Sequence, residues 1–567
     1  MSSGSAAMLS RAQKARPLPD IAPVRLRHRI GYAFLATIGL ALAVGFGYFW
    51  FEPSRLPHDF GSRTDAGDLI LFIVLSFVVW HRLVLDITAW LLCGLIGSYR
   101  QPPAPPAGLR VAFITTFVPS SEPLDMLRHT VRSMLAADYP HDTWVLDEGN
   151  DPAARALCQR LGAYHFSRNG IPELNTNGGM FAAKTKGGNH NSWYVNFGGE
   201  YDVVAQIDTD FLVRRDFLIR TLGYFRDPTV AFVGTPQIYG NTKSLVARGA
   251  GQQTYLFYGP IMRAMSRLRM TLLIGANHVV RVSALRDIGW YQGHLTEDLA
   301  TGKRFHAAGW RSVYVPEPLL IGEGPATWAA LFTQQYRWAS GCLNIFLTIS
   351  PWLNLKMRTW QAFIYFMLEQ FYFNGLRFAA AISLLLLYYV TGWKPADIPM
   401  LPLLLIYLPL LGWQQLMMRW LQRFNVRPYE ERGSYFAARI VTIACIPIYF
   451  LAFVGVLRNK RVTFKTTPKG DGESEATDLV SVFKPHLVIC AILLAGMAIG
   501  WQLGHRIWVF DAWGLLTVTM YLGLAVSVVP RRLGRARRIR RARRAAAKGT
   551  TQGKHARRAV WGTAATL

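Results

Sequence analysis

The hydrophobic pattern of the chain changes twice. Long unbroken apolar runs lie toward both ends, whereas the middle is built from short apolar bursts separated by amphipathic stretches. A hydrocarbon core of ~30 Å needs about 20 helical residues. Runs of that kind occupy Ile30 to Phe51, Leu69 to Gly97, Ala362 to Tyr389, Ile398 to Trp420, Tyr435 to Leu457, Pro485 to Gly504 and Trp508 to Val529. Between Pro102-Pro103 and Trp328 the pattern predicts strands at 111–117 (VAFITTF), 143–149 (TWVLDEG) and 202–211 (DVVAQIDTDF), with a helix at 125–137 after the first. β-Branched runs alternating with helical stretches predict an α/β domain with a largely parallel sheet. The first apolar run begins only after 29 residues and lacks a small-residue cleavage site, which argues against a cleaved signal peptide.

Composition sharpens this picture. Of 567 residues, 51% are hydrophobic and 17% charged, which excludes a small secreted scaffold and a disordered chain. The cysteines Cys93, Cys158, Cys342, Cys445 and Cys490 form no C-x-x-C pair, so neither a zinc site nor a disulfide framework is supported. With 62 Lys+Arg against 34 Asp+Glu the net charge is +28, and much of the excess sits at the ends. Thirteen Lys/Arg and no acid fall between Arg531 and Arg558, and Arg11, Lys14, Arg16, Arg25, Arg27 and Arg29 face Asp20 alone. Both runs abut apolar segments, so the partner they imply is the lipid bilayer and not nucleic acid.

The same charges give sidedness. A basic cytoplasmic segment 1–29 precedes two transmembrane helices in 30–98, which returns 99–325 to the cytoplasm, followed by an amphipathic interfacial helix in 326–358. Transmembrane helices and an interfacial segment fill 359–457, two more helices fill 485–530 beyond 458–484, and a basic tail fills 531–567. The loop RFNVRPYEER after Trp420 and RNKR at 458–461 are both basic. If both are inside, six crossings result, with Tyr435 to Leu457 lying along the interface or dipping in and returning, broken at Pro447. Both termini are then cytoplasmic.

Candidate chemistry lies where the predicted strands end in acids: Asp147 after one, Asp208 and Asp210 after another. Acids at the carboxyl ends of successive parallel strands converge on the crevice where open α/β sheets bind ligands. Two carboxylates one residue apart can face a divalent cation together, although most such triplets are solvated turns. Downstream, 295–310 (LTEDLATGKRFHAAGW) predicts a helix capped by Thr296, with Glu297 and Asp298 in its first turn; simple capping would explain those acids. The stretch 327–342 (TWAALFTQQYRWASGC) predicts an amphipathic helix just before a span, where Trp and Arg could serve only as headgroup anchors.

Together, Asp147 in VLDEG, Lys186 and Asn189 in KGGN, Asp208-Thr209-Asp210, Thr296-Glu297-Asp298 and Gln334-Gln335-Tyr336-Arg337-Trp338 form an ordered constellation. With its flanking spans it resembles the inverting, processive membrane glycosyltransferases of family 2, the group of bacterial cellulose synthases, hyaluronan synthases and chitin synthases. The likeness covers about Gly108 to Leu343. The segment FKTTPKGD at 464–471 resembles the F-x-V-T-x-K gating loop of cellulose synthases, with Thr466 where Val is usual.

The resemblance implies a membrane α-helical bundle carrying a cytoplasmic α/β domain of the glycosyltransferase A type (GT-A) with a largely parallel sheet. It implies a UDP-sugar donor, a growing polysaccharide as acceptor and Mg²⁺ or Mn²⁺ as cofactor. Thr115, Thr116, Phe117 and Asp147 would contact the uridine part, with Glu122 nearby. Lys186, Asp208, Gln334 and Arg337 would hold the diphosphate region and Asp210 the metal. Asp298 would be the general base, and Trp338 would stack on the acceptor. Glu297 and Gln335 belong to the same substrate-binding motifs, and Phe464, Thr467 and Lys469 would close over the nucleotide. The setting implied is the plasma (inner) membrane, with envelope partner subunits left open.

UDP-glucose and a β-1,4-glucan lead, with a mixed-linkage or other β-glucan and a GlcNAc polymer behind them; TLLIGANHVVR at 271–281 departs from the F-F-C-G-[ST] signature of cellulose synthases, keeping only Gly275, which leaves those products open. Non-processive transfer to a lipid carrier, and a transporter whose cytoplasmic block senses nucleotides, are the competing readings. Arg82, Asp86, Glu369 and Arg377 within the spans suit a polysaccharide tunnel or a transport path. The stretch after Val529 is too short for the roughly 100-residue barrel that binds cyclic di-GMP in many cellulose synthases, so no such domain is expected in this chain.

Overall fold

The computed structural model describes residues 24–60, 65–99, 101–460 and 479–526. Phe464, Thr467 and Lys469 therefore lie outside the described residues, as do both basic ends. The described chain divides into two units, one ending at 476 and interrupted by residues 385–392, the other formed by those residues and the chain from 477 onward.

The first unit contains the expected α/β domain. β1 (Val111–Phe117), β2 (Asp142–Asp147), β3 (Tyr164–Phe166), β4 (Val203–Asp208), β6 (Val230–Gly234), β7 (Asn277–Arg281) and β8 (Arg311–Tyr314) form one sheet in the order β3-β2-β1-β4-β7-β6-β8. Only β7 runs against the rest. β1 and β4 are buried almost throughout, which is why both read as continuous apolar runs and not as alternating strands. The helix Leu124–Leu135 buries Leu127, Thr130, Val131 and Met134, a single stripe at helical spacing.

The predicted strand 202–211 is two strands. β4 stops at Asp208, and after a turn at Thr209-Asp210 the chain re-enters as β5 (Phe211–Val213), which pairs antiparallel with β9 (Leu320–Gly322) in a second small sheet. The two acids thus stand where the chain leaves one sheet for another. β1 is flanked by β2 on one side and β4 on the other, and in register Phe117 faces Asp147 while Thr116 faces Asp208. This is the point of strand-order reversal at which α/β sheets open a binding crevice.

Among the described residues seven helices are long and apolar enough to cross a membrane, at Leu26–Trp50, Ala66–Cys93, Thr359–Thr391, Met400–Phe424, Phe436–Leu457, Val480–Leu503 and Trp508–Val526. The third contains a 3-10 turn at Gln370–Phe373. Phe436–Leu457 is a single helix with Pro447 inside it, so the expected break and return at that proline do not occur. Neighbouring helices grip it. Gln253 Nε2 donates to Thr442 Oγ1 at 2.8 Å, and Tyr449 donates to Gln335 Oε1 at 2.9 Å. A methyl at Gly249, on the helix Leu245–Leu256, would lie 2.6 Å from the Ala437 carbonyl oxygen, so that crossing requires glycine. In the second unit Tyr389 donates to Asp511 Oδ1 at 2.9 Å, between residues 385–392 and the last described helix.

One buried ion pair joins the α/β domain to an apolar helix. Lys303, on the helix Glu297–Ala307, donates to Glu369 Oε1 at 2.6 Å and to Ser350 Oγ at 2.7 Å, and both charged side chains are buried. Removing either partner would strand a buried charge, a cost of about 3–5 kcal/mol.

Candidate functional site

Four elements deliver the site. The helix Lys186–Phe197 starts at Thr185, whose hydroxyl accepts from Gly188 N at 3.1 Å, and Asn189 fastens it to β2 by donating to the Leu146 carbonyl at 3.3 Å. Lys186, its first residue, reaches across to donate to Asp208 Oδ1 and to the Gly275 carbonyl, the latter at 2.6 Å. Burial opposes the charge on Lys186, but Asp208, Glu297 and Asp298 outweigh it and hold the ammonium above its usual range.

The second element is the Glu297–Ala307 helix. Thr296 occupies its N-cap position but does not cap it; its hydroxyl lies 3.2 Å from His294 Nδ1 instead. Asp298 accepts from Gly275 N at 2.9 Å and from Leu299 N at 2.8 Å. Burial pushes the Asp298 carboxyl up. Burial, then the neighbouring Asp298, pushes Glu297 up to about 7.

Gly275 joins these two elements, a role that sequence reasoning does not assign to it. Its carbonyl accepts from Lys186 and, at 2.8 Å, from Gln206 Nε2, while its N–H holds Asp298. A methyl there would sit 2.7 Å from Asp298 Oδ2. The retained glycine within TLLIGAN is the available signal, and its meaning is close approach.

The turn at Asp208 and Asp210 is the third element and the helix Trp328–Thr348 the fourth. That helix is capped by Thr327 and runs further than the pattern predicts. Gln334 hydrogen-bonds Tyr239, and Gln335 is held by Tyr449.

A cavity of about 800 Å³ brings most of these groups together. Lys186, Asp208, Asp210, Glu297 and Asp298 line it on one side. Gln334, Gln335, Arg337 and Trp338 line it from the Trp328–Thr348 helix. The same cavity is also lined by Cys342 and Tyr372 and, on the apolar helices, by Glu369, Tyr407, Gln414 and the Arg82–Asp86 ion pair. Arg377 does not line it; its guanidinium donates to Asn374 Oδ1 and to the Val78 carbonyl.

The uridine candidates lie elsewhere, at the carboxyl ends of β1 and β2. Asp147 is fully buried, accepting from Gly149 N at 2.9 Å and Asp151 N at 2.6 Å, with His165 Nε2 at 3.1 Å. Glu122 accepts from Val118 N at 2.8 Å and from Thr209 Oγ1 at 3.3 Å, and Thr209 also donates to the Thr116 carbonyl. Thr115 is fully buried. These residues shape the crevice wall without lining the cavity.

Among the described residues no three His, Cys, Asp or Glu side chains form a metal cage. The donor set at hand is the Asp208/Asp210 pair facing the cavity. Two hard carboxylates fit a Mg²⁺- or Mn²⁺-type ion that completes its shell with phosphate and water.

A family model described as glycosyl transferase family group 2 matches residues 203–454, from the start of β4 into the Phe436–Leu457 helix. Over 510 residues the chain is 26% identical to the cellulose synthase catalytic subunit [UDP-forming] of Pseudomonas fluorescens (strain SBW25), covering 86% of this chain and 64% of that protein. The protein of the same name from Xanthomonas axonopodis pv. citri (strain 306) is 27% identical, covering 61% of this chain and 47% of its own length. The chain thus spans less than two thirds of these relatives. Among solved structures, the mannosyltransferase PcManGT from Pyrobaculum calidifontis, in complex with GDP-Man and Mn²⁺, aligns with a TM-score of 0.45 and 15% identity, over 69% of this chain and 99% of that one. Residues 203–454 thus match the family 2 glycosyltransferase model, and the chain is similar over most of its length to cellulose synthase catalytic subunits.

Proposed function

We propose that the protein is a processive, inverting glycosyltransferase that polymerises a UDP-sugar, UDP-glucose foremost, into a β-linked polysaccharide, β-1,4-glucan foremost, and passes it out through its own membrane channel. One observation carries this reading: a single cavity is lined both by the carboxylates, Arg337 and Trp338 and by residues of helices long and apolar enough to span a bilayer.

Asp298 removes the proton from the acceptor hydroxyl as that oxygen attacks the donor's anomeric carbon, while the nucleoside diphosphate departs on the opposite side. A single displacement inverts configuration and needs no enzyme nucleophile. Lys186 and Arg337 balance charge on the departing diphosphate. A divalent cation held by Asp210, with Asp208 beside it, would supply further charge neutralisation there. Trp338 gives the acceptor sugar an apolar face, and Asp147 shapes the uridine end through the Gly149–Asp151 backbone it holds. Six crossings in the inner membrane, with both termini cytoplasmic, agree with the basic loops. In this reading the Phe436–Leu457 helix lies along the interface.

Incubating the purified chain with labelled UDP-glucose and Mg²⁺ or Mn²⁺ is expected to give a long polymer that β-1,4-glucanase degrades. Monoglycosylated lipid, or no transfer, would reject the reading.

The carboxyls at 297–298 also set a pH dependence. Burial raises the Asp298 carboxyl, so the base keeps its proton to higher pH than an exposed carboxyl does and must lose it before it can act. Polymerisation is therefore expected to climb with pH as Asp298 ionises, above the usual carboxylate range. A rate that stays flat from about pH 4, the ordinary carboxylate value, to about pH 8 would contradict the assignment.

A further inference from the structure

Lys186 must be held at its place by a segment poorly equipped to hold anything. Between β3 and its helix the chain passes through Gly170, Gly178 and Gly179, with much of 169–181 exposed. A guanidinium does the holding. Arg168, two residues beyond β3, is 0% exposed. Its Nη1 donates to the carbonyls of Leu174 at 3.0 Å, Phe181 at 3.2 Å and Ala182 at 3.1 Å, and its Nη2 donates to that of Thr185 at 3.2 Å. Nε and Nη2 also grip Glu148 in a two-point ion pair, at 3.1 and 2.8 Å.

Glu148 directly follows Asp147 at the end of β2, so one side chain fastens the post-β2 turn to the entire approach to the Lys186 helix. Only arginine can do this, because its five N–H groups lie in a fixed plane and point outward in several directions. The second glycine of KGGN then has a physical reason. A methyl at Gly188 would fall 2.2 Å from the Ala182 carbonyl oxygen and 2.7 Å from Arg168 Nη1, so the guanidinium occupies the space a side chain would need. Thr185, whose carbonyl Arg168 takes, is also the residue whose hydroxyl caps the helix that begins at Lys186.

We infer that Arg168 is the positioning residue for the donor diphosphate: seated on Glu148, it fixes the 174–185 carbonyls and, through Thr185, sets Lys186 Nζ between Asp208 and Gly275. This rests on the reading of Lys186 as a diphosphate ligand. Arg168 itself touches no substrate.

The test uses the full chain in detergent and compares binding of UDP with that of uridine, which lacks the phosphates. Arg168→Lys keeps a positive charge for Glu148 but cannot span the carbonyls. It is expected to weaken UDP roughly tenfold, the scale of a lost charge-assisted hydrogen bond, while uridine changes by less than about twofold. Gly188→Ala, which displaces the guanidinium without removing it, should give the same pattern and serves where Arg168→Lys does not fold. Placed on Lys186→Ala, Arg168→Lys should add less than about twofold, because both act through one ammonium. Equal weakening of UDP and uridine, or losses that multiply in the double variant, would overturn the inference. Normal UDP binding by Arg168→Lys beside weakened binding by Lys186→Ala would overturn the positioning role alone. Unchanged UDP affinity in Lys186→Ala would overturn the diphosphate reading itself.

Discussion

Asp298→Asn is expected to lower polymer synthesis by about 10²–10⁴-fold, the usual contribution of a general base. UDP binding should change by no more than about threefold, because no donor contact worth more than ~1 kcal/mol is lost. The carboxylate now accepts two backbone N–H bonds, from Gly275 and Leu299. An amide can keep only one with its oxygen, so the variant loses one charge-assisted hydrogen bond, about 1.5–3 kcal/mol, and still folds. The atom that takes the acceptor's proton is what disappears. Radiolabel incorporation alongside UDP titration separates the two effects. Synthesis within a few-fold of the parent chain would assign the base elsewhere, with Glu297 the nearest alternative.

The second large effect is at Asp210. In the parent chain, UDP affinity should rise about tenfold or more, ~1.4 kcal/mol, when Mg²⁺ or Mn²⁺ is added. Asp210→Ala should erase that increment while leaving metal-free affinity nearly unchanged, and synthesis should fall with it. Calorimetric titrations with and without the cation measure both quantities. A variant that keeps the full increment would remove Asp210 from the metal site and leave Asp208 as the sole carboxylate candidate of the pair.

Legibility in the sequence obeys a physical rule. Side chains that work by charge or ring, such as Lys186, Asp298, Arg337 and Trp338, announce themselves by residue type, and the structure gathers these four around one cavity. Residues that work by holding backbone do not. Gly275 serves through its own N–H and carbonyl, and Arg168 serves through carbonyls that no pattern displays. Asp147 reads as a ligand contact because it ends a strand, yet its oxygens are engaged by the turn beyond it. The β4 reading runs past its end because Phe211, Leu212 and Val213 continue the apolar run, although they pair with a different sheet. A break at Pro447 is expected from the missing N–H, and packing against neighbouring helices outweighs that loss.

The Lys303–Glu369 pair has a mechanical consequence. Asp298 is five positions upstream of Lys303 on one rigid rod, and Glu369 belongs to a hydrophobic helix facing the same cavity. Pulling them apart would bare an ammonium in oil, so the two rods travel together. The Asp298 carboxyl is thereby surveyed from the membrane helix as well as from the strands beneath it, and under the proposed function a growing polymer that shoulders that helix aside would drag the carboxyl along with it.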